Sequence, residues 1–105
     1  MKNAEAVLAV KFNSTLSPDE LIRICKKELG TFRNVPGLIQ KYYLTDETSG
    51  AISGIYIFNS QVARESFWTS DVAKMIPATY GVIPETLRIE RYDIAIVLNA
   101  PSLVS

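Results

Sequence analysis

LIQKYYLT (38–45), DETSG (46–50) and AISGIYIF (51–58) read as strand, turn and strand, and that hairpin decides the fold. Both runs are rich in β-branched and aromatic residues, and Gly50 sits near the end of the turn. A four-residue loop pairs Asp46 with Ala51. Lys41 then lies opposite Tyr56, and Tyr43 opposite Gly54, so these four share one face.

Working outward, Asn34-Val35-Pro36-Gly37 reads as the turn that feeds the hairpin. Before it, Ser17-Pro18-Asp19-Glu20 is a helix start, with Ser17 as cap, Pro18 in the first turn and Glu20 three residues on. The apolar stripe Leu21, Ile22, Cys25 and Leu29 predicts a helix over about 18–29, closed by Gly30. Residues 5–12, EAVLAVKF, alternate with period two and predict the first strand. After the hairpin, Ser60 caps a helix over about 61–69 with Val62, Ala63 and Phe67 inward. Ser70 caps a short turn through Lys74 to Met75, which Pro77 and Gly81 are expected to end. A long last strand is predicted over about 86–98, although its apolar residues change phase between Leu87/Ile89 and Tyr92/Ile94.

The order β-α-β-β-α-β is the ferredoxin-like unit of the α+β class: a four-stranded antiparallel sheet with helices on one face. At 105 residues the chain has the size of a single domain, 1–105. Leu38, Tyr42, Leu44, Ile55 and Ile57 are apolar in one phase, and Ile39, Tyr43, Ile52 and Phe58 in the other. A sheet apolar on both sides needs a second cover, and another copy of the chain, sheet against sheet, is the economical one. Leu8 and Ile57, as central-strand positions, are expected not to tolerate a charge.

Composition removes whole classes of function. Lys+Arg and Asp+Glu are 11 each, so no basic field marks the chain for nucleic acid or an anionic membrane. No apolar run approaches the roughly 20 residues of a membrane span. The start, MKNAEAVLAVKF, has a short apolar stretch and no small-x-small site, which predicts no signal peptide. The chain has one cysteine, Cys25, and no histidine. A cytoplasmic location fits a lone thiol. A Ser-His-Asp triad, an imidazole-held zinc and a His-ligated haem are excluded, and no metal or other cofactor is expected.

Pro36-Gly37-Leu38-Ile39-x-Lys41, Gly50, Gly54-Ile55-Tyr56-Ile57-Phe58, a helix ending near Phe67, and Tyr92-Asp93-Ile94 together resemble the small mono-oxygenases of the dimeric α+β barrel superfamily. These are relatives of the cofactor-independent antibiotic-biosynthesis monooxygenases, and the likeness is to the bacterial YdhR-type proteins in particular. It spans roughly residues 5–99. It implies a homodimer whose two sheets form a barrel, a pocket in each subunit between sheet and helices, and oxygenase activity on an aromatic or polycyclic small molecule. The haem-degrading branch of the same superfamily shares Ser70-Asp71-Val72. Its tryptophan falls on Phe67, with Trp68 one residue off, and its histidine ligand falls on Pro77.

The candidate substrate-binding residues are Lys41, Tyr43, Tyr56, Trp68 and Tyr80. Lys41 in a pocket holds an oxyanion or, desolvated, acts as a base; on an edge strand it snorkels to solvent instead. Tyr43 and Tyr56 share its face, and Gly54 leaves space beside Tyr43 for a ligand. They bond a phenolate or quinone oxygen, or else pack with wet tips. Trp68 lies at a helix margin, either roofing the pocket or covering the interface, and Tyr80 in the Pro77–Pro84 loop, where pocket lids often lie. Arg64 reads as a solvated helix residue and Cys25 as a small core residue. No side chain stands out as the general base. An isomerase or lyase using the same pocket, and a non-catalytic binder of an apolar ligand, are the competing readings. The pocket is expected under the helices, on the Lys41 face; the register alone leaves the opposite face open.

Overall fold

The computed structural model describes residues 4–98. Residues 1–3 and 99–105, parts of the single domain expected over 1–105, lie outside the described residues. The elements are β1 (Ala6–Phe12), α1 (Pro18–Lys27), α2 (Leu29–Arg33), β2 (Leu38–Thr45), β3 (Ile52–Phe58), α3 (Gln61–Trp68), α4 (Asp71–Lys74), α5 (Ile76–Thr79), a short 3-10 turn at Pro84–Thr86, and β4 (Arg88–Asp93). The strands form one antiparallel sheet in the order β2-β3-β1-β4. This is the ferredoxin-like arrangement.

The register is the one that the turn length dictates. Asp46 N–H donates to the Ala51 carbonyl at 2.9 Å. Lys41 pairs with Tyr56, and Tyr43 with Gly54. The ladder slips once, between Leu38 and Gln40, where β2 bulges. Just beyond the bulge, on this edge strand, the Lys41 N–H bonds the Gln40 side-chain carbonyl at 3.0 Å.

Helices cover the face carrying Ala6, Leu8, Val10 and Phe12 of β1 and Tyr56 and Phe58 of β3, all buried. Leu21, Phe32, Phe67 and Ile76 pack down onto it from the helices. Phe67 sits at the centre, its ring 5.0 Å from Tyr56, 5.7 Å from Phe58 and 6.3 Å from Phe32. The opposite face carries Val7, Tyr42, Leu44, Ile55, Ile57 and Tyr92. Tyr42, Leu44 and Tyr92 are about half exposed there, an apolar surface on the uncovered side.

Several expectations fail for physical reasons. The first helix does not end at Gly30. The chain breaks step at Glu28 and continues as α2, and Gly30 keeps a negative φ. Pro77 opens α5 instead of ending a helix, because a first-turn proline has no bond to lose. Val62 is exposed and Arg64 is buried, so the inward side of α3 runs through Arg64 and Phe67, three apart. The last strand ends at Asp93, not 98, although Ile94 N–H still donates to the Glu5 carbonyl at 2.9 Å.

The phase change in that strand needs no bulge. The β1–β4 register is unbroken, so Ile89, Arg91 and Asp93 share the covered face while Tyr92 points away. Buried Arg64 meets the polar pair. Its Nη1 donates to the Tyr92 carbonyl at 2.9 Å and to Asp93 Oδ1 at 3.3 Å, and its Nε to Glu65 Oε1 at 3.0 Å. Arg91 Nε reaches the same Glu65 oxygen at 3.3 Å. A charged network thus closes the end of the core where apolar residues run out.

Candidate active site

Lys41 reaches its position because β2 is an edge strand whose inward face lies beneath α1 and α2. The side chain runs inward, not out to solvent, and only part of the residue remains exposed. Its ammonium lies 3.2 Å from the centroid of the Phe32 ring, 4.2 Å from Tyr43, 4.5 Å from Tyr56 and 5.7 Å from Tyr80. Among the described residues no carboxylate forms an ion pair with it. The contacts that hold the cation are ring faces, each worth roughly 0.5–2 kcal/mol.

Burial in this apolar surround pulls the Lys41 ammonium down to about 7, against the pull that a Cys25 thiolate and the Glu28 carboxylate exert in favour of the charge. Burial also raises the phenols. Tyr43 is pushed up to about 12, with the neighbouring Tyr80 hydroxyl working the other way. Tyr56 and Tyr80 are pushed higher, first by burial and then by the charge that Tyr43 would carry. Cys25 is raised by burial, partly offset by Lys41, so it stays a neutral thiol near pH 7. The site therefore holds one amine poised near neutrality and three phenols that keep their protons.

Two of those phenols have unused donors. The Tyr43 and Tyr80 hydroxyl oxygens are buried without a hydrogen-bond partner. The two hydroxyls are near enough to shift each other's titration, yet no hydrogen bond joins them. Around them lies a cavity of only about 10 Å³, lined by Lys41, Tyr43, Gly54, Tyr56, Tyr80 and Cys25 among others. That holds about one water. Lys41 and Tyr43, with Phe32, also wall an open groove of about 250 Å³ beside the cavity. A larger groove of about 870 Å³ lies elsewhere, between the Asn34–Gly37 turn and α3, away from Lys41.

Of the five candidates, Lys41, Tyr43, Tyr56 and Tyr80 come together around one cavity. Trp68 does not line it; it is half-buried and packs against the core from the end of α3. Gly54 leaves no gap for a ligand. A Cβ there would meet Tyr56 Cε1 at 3.0 Å, so the Tyr56 ring leans over the glycine and fills the space. Phe32, whose ring stands nearest to the ammonium, falls outside the helix that the sequence predicts, because Gly30 reads as a stop. The signal was present: Leu21, Cys25 and Phe32 continue one helical stripe past the glycine. Cys25 belongs to the cavity wall as well as to the packing. Among the described residues no group of three or more Asp, Glu, Cys or His side chains is placed to hold a metal ion. No helix among them is long and apolar enough to cross a membrane.

No family model matches the sequence, and no curated protein is similar to it in sequence. Solved structures do share its fold. A monooxygenase from the gene ActVA-Orf6 of Streptomyces coelicolor, solved in complex with the ligand nanaomycin D, superposes with a TM-score of 0.68 at 17% identity, covering 94% of each chain. SnoaB, a cofactor-independent oxygenase from Streptomyces nogalater, gives 0.64 at 12% identity over 95% of this chain and all of its own. A protein of unknown function from Nitrosomonas europaea gives 0.70 at 12% identity, covering 94% and 96%. The resemblance to the antibiotic-biosynthesis monooxygenase-like superfamily thus holds as a likeness of fold.

Proposed function

We propose that this chain is a cofactor-independent monooxygenase of electron-rich aromatic or polycyclic phenols, with Lys41 as the base. The observation that carries the reading is an amine enclosed by aromatic rings, without a carboxylate, beside two buried hydroxyls that lack partners. A phenol approaching from the 250 Å³ groove gives its proton to Lys41 Nζ. The ammonium so formed holds the phenolate, and the ring faces stabilise that ammonium. Tyr43 and Tyr80 donate to the substrate oxygen. The phenolate is electron-rich enough to reduce dioxygen by one electron. Radical recombination at the para carbon forms a C–O bond, and loss of water leaves a quinone. One phenol and one dioxygen become one quinone and one water, so no external reductant is needed.

The two oxygenases of like fold support the reading, as does the apolar surround, which keeps bulk water from a reactive phenolate. The same proposal includes a homodimer joined through the uncovered sheet face, and a cytoplasmic setting, which suits a single free thiol. The test is oxygen uptake with a panel of polycyclic phenols. Wild-type protein should consume oxygen and form quinone, and Lys41→Met should lower kcat/KM by about 10²-fold or more. Uptake equal to the protein-free blank across the panel, or a Lys41→Met variant as active as wild type, defeats it.

A further inference from the structure

We propose that the Lys41 amine also condenses with the carbonyl group of aromatic aldehydes or ketones, holding them as an imine beneath α2, the Tyr43 and Tyr80 hydroxyls bonding the carbonyl oxygen while the amine adds and until that oxygen leaves as water. This goes beyond the oxygenase reading, since it needs no dioxygen and would stand if no phenol were oxidised.

Three features of the cluster carry it. First, the Lys41 nitrogen is enclosed by rings and no carboxylate among the described residues forms an ion pair with it, so only the ring faces and the unbonded Glu28 carboxylate oppose the loss of its proton on burial. Second, the two buried hydroxyls at the same cavity have nothing to donate to. A buried donor left unpaired is destabilising, and a carbonyl oxygen offers two lone pairs. Third, Lys41 and Tyr43 wall both the small cavity and the groove beside it, so a carbonyl can reach the amine from outside while its ring lies against Phe32.

The step balances without a co-reactant. The Nζ lone pair forms a C–N bond to the carbonyl carbon. The π pair moves to oxygen, which takes a proton from a tyrosine hydroxyl. The carbinolamine then loses its oxygen as water. Of the two nitrogen protons, one leaves in that water and the other restores the tyrosine. Burial of the amine favours the neutral nucleophile near pH 7. The titratable groups facing it are Cys25, Tyr43, Tyr56, Tyr80 and Glu28.

The test uses the full chain at pH 7 with 2-hydroxybenzaldehyde and cyanoborohydride, which reduces an imine to a permanent adduct. Peptide mass mapping separates Lys41 from the α-amino group and from Lys26, Lys27 and Lys74. Burial favours the neutral Lys41 amine, so Lys41 should label at least about tenfold faster than those three. Tyr43→Phe should slow the Lys41 adduct severalfold and leave Lys26 and Lys27 unchanged. Labelling of Lys41 no faster than that of Lys26 and Lys27 overturns the proposal, whatever the oxygen electrode reads. A Tyr43→Phe protein that labels Lys41 at the wild-type rate removes the hydroxyls from it.

Discussion

Lys41 is the side chain for which burial and charge conflict most directly, and the conflict has a measurable sign. In the unfolded chain its amine titrates at the ordinary lysine value of 10.5; in the fold burial draws it to about 7. Between those values the unfolded chain holds a proton that the folded one has released. The Lys41 contribution to stability therefore rises with pH from about 7 upward and is flat below. Above about 9 it is opposed by Cys25, and then by Tyr43, Tyr56 and Tyr80, whose raised values act in the other direction. Lys41→Met, apolar and of similar length, should be more stable than wild type at pH 6, by on the order of 1–3 kcal/mol once ring contacts are discounted. The advantage should shrink between pH 7 and 9. Denaturant melts of both proteins across that range check it, and a difference constant with pH would mean that the ring faces hold the charge outright. That Lys41, Tyr43 and Tyr56 share a face was legible in the sequence, because a four-residue loop between Asp46 and Ala51 leaves one register. Which face the helices cover was not legible, since apolar residues stand in both phases. Phe32 was hidden by a glycine that could be a stop or a tolerated helix residue.

At the scale of elements, two glycines give opposite expectations. Gly37 has φ +78° and joins α2 to β2, and its carbonyl accepts from Asn59 N–H at 2.9 Å. A Cβ there would collide with Ala63 Cβ on α3 and stand 2.8 Å from Asn59 Oδ1. Gly37→Ala should therefore cost about 2–4 kcal/mol, combining left-handed strain with overpacking. Gly30 lies within α2 and a Cβ there meets nothing within 4 Å. Gly30→Ala should stabilise by about 0.5–1 kcal/mol. Thermal melts of the two variants should move in opposite directions; a shift of the same sign in both would mean that the helix break at Glu28 is misplaced. Capping signals were readable in advance: Ser17, Ser60 and Ser70 each accept from the amide three residues on. The end of β4 was not, because an apolar run after Asp93 resembles strand when the inward partners of Arg64 are unknown.

For the whole molecule, the two faces of the sheet predict two kinds of failure. Leu8 is fully buried beneath the helices, whereas Ile57 lies half-buried on the uncovered face. Leu8→Asp should leave no soluble fold, since a buried unpaired charge costs several kcal/mol out of a total of about 5–15. Ile57→Asp should keep its circular dichroism and instead sediment as a monomer, with the wild type a dimer at micromolar concentration. This replaces the sequence-based expectation that both positions fail alike. A dimeric Ile57→Asp, or a monomeric wild type, would turn attention away from that face.

Strand β2 ends the sheet, and an open edge invites further strands of the same kind. Here the invitation is withdrawn locally. The ladder is thrown out of step between Leu38 and Gln40, and the Lys41 amide beyond it is already bonded to the Gln40 side chain. A second chain drawn alongside would find its template interrupted at its first rungs. Edge-to-edge polymerisation, the route to fibres, is disfavoured at β2; in the proposed dimer, self-association would use the broad apolar surface of the sheet instead, where two copies would close on each other and growth would stop.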